Sequence, residues 1–132
     1  MSYVKFTSEL KNISLAEQLV DLISTKHKIS NDLYGNILIS LTEAVNNAVV
    51  HGNKLDASKQ VEISYKCDKH NLVLNVKDEG LGFNYNVLPD PTSSENIEKL
   101  NGRGIFLIKN LADEVKFLNN GTQIEMKFKL DI

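Results

Sequence analysis

The sequence predicts an α+β domain: a two-layer sandwich in which a mixed, mostly antiparallel sheet is covered on one face by about three helices. Three observations lead there. Two strand-like runs, 60–67 (QVEISYKC) and 71–77 (NLVLNVK), are parted only by Asp68-Lys69-His70, a hairpin-length link. A second pair, 113–118 and 122–130, is parted by Asn119-Asn120-Gly121, a strong tight-turn signal. The helical patterns are grouped against these hairpins instead of alternating with single strands, which argues against a parallel doubly wound sheet.

Taken in order, 3–8 (YVKFTS) alternates like a short strand. Asn12 or Ser14 offers a helix cap, and Leu15, Leu19, Leu22 and Ile23 then recur at helical spacing to about Lys26. Ser30-Asn31-Asp32 reads as a second N-cap region. Behind it Leu38, Leu41, Val45 and Ala48 line one face of the longest helix, which Gly52 is placed to stop in a left-handed conformation. The hairpin at 60–77 follows, and 78–83 (DEGLGF) breaks its pattern with two glycines. The stretch 84–101 is the least regular and holds both prolines, Pro89 and Pro91; it reads as a loop with a helical turn near 95–100. Loops this long in small domains are commonly functional, so a lid is expected at about 84–103. Gly102-Arg103-Gly104 then opens an apolar helix over 105–111.

The chain has 132 residues, 42% hydrophobic and 24% charged, which suits one soluble domain spanning 1–132. The net charge is −2 and no dense Lys/Arg block appears, so a direct nucleic-acid partner is not expected. Cys67 is the only cysteine and reads as a small strand residue; no internal disulfide is possible. Residues 1–10 show neither a basic nor an apolar signal-peptide region, and no apolar run is long enough to span a bilayer. A cytoplasmic location without membrane contact is expected.

The chemistry concentrates in four segments. In 41–53 (LTEAVNNAVVHGN), Glu43 and Asn47 lie four apart and so share a helix face away from the apolar stripe. A carboxylate and an amide placed so suit phosphoryl transfer. The amide oxygen can serve magnesium, which keeps waters and takes one or two protein groups beside phosphates. The carboxylate can orient or deprotonate an attacking hydroxyl. Such a pair on a helix is ordinarily solvated surface. Asn46-Asn47 amid Ala and Val is less ordinary, because Asn competes for backbone hydrogen bonds within a helix. His51 reads as a packing or capping residue.

Asp78 stands at a strand end, where a carboxylate can accept from an exocyclic amine such as that of adenine. Gly80 and Gly82 let the backbone turn and approach a flat ligand, although Asp and Gly are also common in simple turns. Gly102-Arg103-Gly104 precedes a helix, whose free N–H groups favour phosphate. Arg103 is either a phosphate contact or a solvated side chain. Thr122, just past the last turn, either joins Asp78 around a base or is an ordinary strand threonine. No GxxxxGK[ST] pattern occurs, and no protein-kinase glycine loop with its catalytic companions, so an ATP site here must be of another kind.

In order and spacing these segments resemble the GHKL ATPase superfamily. LTEAVNNAVVHGN is similar to its N box, VKDEGLGF to its first glycine box, NGRGIFLIKNLADEV to its second, and Thr122 to its last threonine. Within the superfamily the boxes resemble those of the bacterial anti-sigma-factor serine/threonine-protein kinases. That resemblance implies the Bergerat fold, with ATP and Mg2+ as ligands. It implies Glu43 as catalytic base, Asn47 as magnesium ligand and Asp78 as acceptor for the adenine amine. Gly80 and Gly82 would shape the base pocket, and Gly102 and Gly104 would border the triphosphate. Arg103 would reach the γ-phosphate, Ile105 counts among the nucleotide-binding residues, and Thr122 would supply an adenine-side hydroxyl.

The resemblance further implies a homodimer. It would sequester a sigma factor and phosphorylate a serine or threonine on a small STAS-domain anti-anti-sigma protein in a partner switch. The alternative is an ATP-binding regulatory module with little or no kinase activity. A histidine-kinase fragment fits poorly, since only His27, His51 and His70 exist and no helical phosphoacceptor module precedes Glu43.

Overall fold

The structure is a computed structural model that describes residues 2–81 and 100–130. The expected helical turn before Leu100, Gly82, and the expected lid up to residue 99 lie outside the described residues.

The described chain runs β1 (Ser2–Thr7), α1 (Ser14–His27), α2 (Asn31–Asn46), β2 (Gln60–Cys67), β3 (Asn71–Lys77), α3 (Leu100–Leu111), β4 (Glu114–Leu118) and β5 (Gln123–Lys129). The five strands form one sheet in the order β1-β2-β3-β5-β4. Every pairing is antiparallel, so the parallel component expected of a mixed sheet is absent among the described residues. The reason is topological. Helix α3 carries the chain past β3 to the outer edge, and the β4–β5 hairpin then folds β5 back between the two. β3 and β4 therefore never pair.

The pleat sends alternate side chains to opposite faces. Val61, Ile63 and Tyr65 on β2, Leu72, Leu74 and Val76 on β3, and Ile124, Met126 and Phe128 on β5 all point inward. The register aligns them in rows: Ile63 lies opposite Val76, and Val76 opposite Ile124. Against these rows pack Ala16, Val20 and Ile23 of α1, Ile37, Leu41 and Val45 of α2, and Ile108 of α3. Each fully buried Val, Leu or Ile among them contributes roughly 1.5–3 kcal/mol. The helices thus cover one sheet face, as the sequence predicts. No described helix is long and apolar enough to cross a membrane.

Local signals are obeyed unevenly. Ser30 caps α2, accepting from the Leu33 amide at 3.4 Å. Neither Asn12 nor Ser14 caps α1. A 3₁₀ turn (Leu10–Ile13) runs straight into that helix, and Asn12 instead donates 2.9 Å bonds to the Thr7 carbonyl and hydroxyl oxygens. Gly52 is not left-handed. Helix α2 ends at Asn46 and passes into a π-helical turn, Asn47–Gly52. The Asn53 and Leu55 amides bond back to Ala48 and Val49, each at 2.8 Å, and carry helical bonding past Gly52. The left-handed reversal falls on Lys54 and Leu55 instead (φ 54° and 60°).

Candidate functional site

The change from α to π bonding sits beside Asn47, inside the segment whose paired asparagines looked out of place. A π turn widens the helix and re-aims its side chains, and such turns are frequent at functional sites. Here it turns Asn47, Ala48, His51 and Gly52 toward one cavity. The opposite wall comes from the sheet: Val76 and Asp78 at the end of β3, Phe117 at the end of β4, and Gly121, Thr122 and Ile124 around the β4–β5 turn. Ile105 of α3 closes a third side and is only 3% exposed. Apolar walls with a few converging polar groups are the usual make-up of a small-molecule site.

Asp78 is half-buried in that wall. Its amide donates to the Thr122 carbonyl at 2.8 Å, joining the first glycine box to the last turn. Burial pushes its carboxyl above the usual carboxylate range. The Gly80 amide, donating to Oδ1 at 2.7 Å, and the nearby Lys59 charge pull the other way. The Thr122 hydroxyl donates to Asn119 at 2.8 Å, so only its lone pairs remain for a ligand.

Two close approaches explain why glycines stand where they do. A Cβ on Gly52 would land on the Asp78 carboxylate, and one on Gly80 would land on the Gly52 carbonyl. The Gly52 and Gly80 backbones thus enclose the Asp78 side chain. At the other end of the cavity, a Cβ on Gly104 would stand 2.8 Å from Glu43 Oε2 and 3.2 Å from Asn47 Nδ2.

Glu43 and Asn47 therefore do share a face, and that face meets α3 near its start. The helix starts at Leu100, so the three residues expected to precede it lie within it: Gly102 falls in the first turn, whose N–H groups lack helical partners, while Gly104 lies past that turn, where its own N–H enters the helical bonding. The last residues of the expected lid thus belong to this helix. Gly104 is buried, and Arg103 is exposed and outside the cavity lining. Asn47 Oδ1 is buried and has no hydrogen-bond partner. Buried amide oxygens are nearly always paired, so this one awaits a partner. An uncharged amide oxygen beside a carboxylate is a pair of oxygen ligands that suits Mg2+ held mainly by phosphates and water, and the N-terminus of α3 suits the phosphates themselves. Among the described residues no cluster of three or more His, Cys, Asp or Glu forms a metal cage.

The structure thus gathers Asn47, Asp78, Ile105 and Thr122 around one cavity, with Gly80, Glu43 and Gly104 against its walls. Three contributors were given no part in the site by the sequence. His51 lines the cavity with its Nε2 buried and unpartnered, and burial pushes its imidazole below the usual value. Gly52 is needed for closeness to Asp78, not as a helix stop. Asn53, 1% exposed, ties the segment to the sheet. Each depends on contacts with residues far away in the chain.

Comparison with known proteins follows the same outline. A family model described as histidine kinase-like ATPase domain matches residues 6–128. The anti-sigma F factor of Anoxybacillus flavithermus is 29% identical over 130 residues, spanning 94% of this chain and 88% of that one. The anti-sigma F factor of Bacillus thuringiensis is 29% identical over 129 residues, spanning 93% and 88%. Among solved structures, the RsbU and RsbW domains of Rv1364c from Mycobacterium tuberculosis superpose with a TM-score of 0.61 at 13% identity. That match covers 98% of this chain but only 32% of the solved one, and at this identity it speaks for the fold alone.

Proposed function

The chain belongs to the histidine kinase-like ATPase domain family, and from that premise we propose that it binds magnesium-ATP in the α2–α3–sheet cavity as an anti-sigma-factor-type regulator. It phosphorylates a serine or threonine on a STAS-domain antagonist, and as a homodimer it sequesters a sigma factor in the cytoplasm. The kinship to anti-sigma F factors motivates the partners. The observation that carries the nucleotide reading is the buried, unpartnered Asn47 Oδ1 beside Glu43 and Gly104, in the cavity that ends at Asp78.

In this reading Asp78 accepts from the adenine amine, and the Thr122 hydroxyl oxygen accepts directly or through water. Gly52 and Gly80 keep the backbone close around Asp78 and the base. Ile105, Val76 and Ile124 exclude water around it. The N-terminal turn of α3, Gly102 included, presents N–H groups to the phosphates, and Gly104 borders the triphosphate by leaving the wall beside Glu43 and Asn47 without a side chain. Arg103 reaches the γ-phosphate from the same turn. Asn47 Oδ1 would hold Mg2+, whose charge offsets that of the phosphates. Glu43 orients the acceptor hydroxyl and takes its proton as the oxygen bonds to the γ-phosphorus and ADP leaves.

Calorimetry with ATP, with and without Mg2+, tests the site on wild type, Asp78→Asn and Asn47→Ala. Wild type is expected to bind, Asp78→Asn to bind weakly, and Asn47→Ala to lose the magnesium dependence. Labelled ATP and the cognate antagonist then test the chemistry, which Glu43→Ala should reduce by about 10²-fold or more. Nucleotide binding without transfer to that antagonist would replace the kinase reading by that of an ATP-set interaction module.

A further inference from the structure

Asn53 lies outside the cavity, yet its side chain is among the few buried polar ones. Both ends of its amide are used. Oδ1 accepts from the Glu79 amide at 2.7 Å, and Nδ2 donates to the Gln60 carbonyl at 3.0 Å. The Gln60 amide in turn donates to Glu79 Oε2 at 2.5 Å. Three segments that meet nowhere in sequence are thus bracketed together: the end of the π turn, the start of β2, and the residue after Asp78. The bracket has no redundancy at its centre. The Asp78 amide is fixed by Thr122 and the Glu79 amide by Asn53, so the peptide between them is held at both ends. That peptide sets where the Asp78 carboxylate stands relative to Gly52 and Gly80, which leave it no slack.

We propose that Asn53, with Glu79 as its brace, is a positioning residue that sets the nucleobase preference of the site by holding Asp78 in place. The inference rests on the nucleotide reading above and deepens it. Neither side chain touches the base; both act through Asp78. Loss of either loosens the peptide, so the carboxylate no longer meets the 6-amino group at a fixed angle, while the phosphate end of the site is untouched.

The test compares ATP with purine riboside triphosphate, which lacks the 6-amino group. Affinities are measured on the full chain as wild type, Asn53→Ala, Glu79→Ala, Asp78→Asn and the two doubles with Asp78→Asn. Glu79 is exposed, so Glu79→Ala carries the test even where Asn53→Ala fails to fold. Wild type should prefer ATP, and Asp78→Asn should erase that preference. Asn53→Ala and Glu79→Ala should each shrink it by about threefold to tenfold, the worth of one well-placed hydrogen bond. In the Asp78→Asn background neither should weaken ATP binding further. An unchanged preference in folded Glu79→Ala, or an equal loss for both nucleotides that persists without Asp78, overturns the inference and leaves the nucleotide reading standing. A wild type that binds neither nucleotide overturns both.

Discussion

Gly104 and Glu43 are so close that a methyl group built on the first would stand 2.8 Å from the second's Oε2. Two effects of Gly104→Ala therefore pull apart. Helix propensity favours alanine by about 1 kcal/mol, and the displaced atom is the free end of a flexible side chain, so stability should hold or rise slightly. Glu43 must move by several tenths of an ångström, and misplacement of reacting groups on this scale costs about tenfold to 10²-fold in rate. Denaturant melts beside phosphorylation rates are expected to show that split. A variant that transfers phosphate at the wild-type rate would remove Glu43 from the chemistry.

Gly52→Ala tests the opposite end of the cavity. Its methyl would overlap the Asp78 carboxylate, whose own retreat is limited by the Gly80 amide. Overpacking of this kind costs roughly 1–3 kcal/mol. Here it falls on the carboxylate that lines the cavity. Nucleotide affinity should drop by about tenfold or more. Calorimetry against ATP reads this directly.

His51 makes folding pH-dependent in a definite direction. Burial lowers its folded value below the ordinary 6.5, so near that pH the unfolded chain binds the extra proton and the folded chain resists it. Its stabilising contribution is full above 6.5 and is lost as pH falls toward the folded value. Urea midpoints at about pH 7.5 and about pH 5.5 should differ less in His51→Gln than in wild type. An equal difference in both would mean the imidazole charges as easily folded as unfolded.

Leu55 holds a left-handed backbone (φ 60°) with its side chain 50% exposed. Left-handed geometry costs a residue with a Cβ about 1–2 kcal/mol, and glycine returns about 0.5–1 kcal/mol of that through its looser unfolded chain. Leu55→Gly should therefore stabilise by about 0.5 kcal/mol in equilibrium unfolding. A loss beyond about 1 kcal/mol would show that contacts of the buried half of Leu55 outweigh the backbone cost.

What the sequence made legible was whatever depends on near neighbours. Alternation located β2, β3 and β5, the Asn119-Asn120-Gly121 turn located the second hairpin, and Ser30 announced the start of α2. The four-residue spacing of Glu43 and Asn47 placed them together correctly. The misreadings have one cause. Gly52 looks like a helix stop because local geometry allows it, but its position is dictated by Asp78, 26 residues further on. Asn53 closes the segment that resembles an N box, but its role was not legible, since Gln60 and Glu79 are its partners only after the sheet has formed. The start of α3 at Leu100 was hidden for a similar reason. Glycines read as breakers, yet this helix needs Gly104 where it passes Glu43 and Asn47.

The pleat has a consequence beyond packing. Val76, Phe117 and Ile124 face the cavity, while Val73, Lys116 and Glu125 line a shallow groove on the uncovered side of the same strands. The two surfaces are spelled in alternate letters of one text. Charge and size on the outer side can be rewritten without altering any cavity-lining strand position, so change there is uncoupled from the packing demands of the inner one.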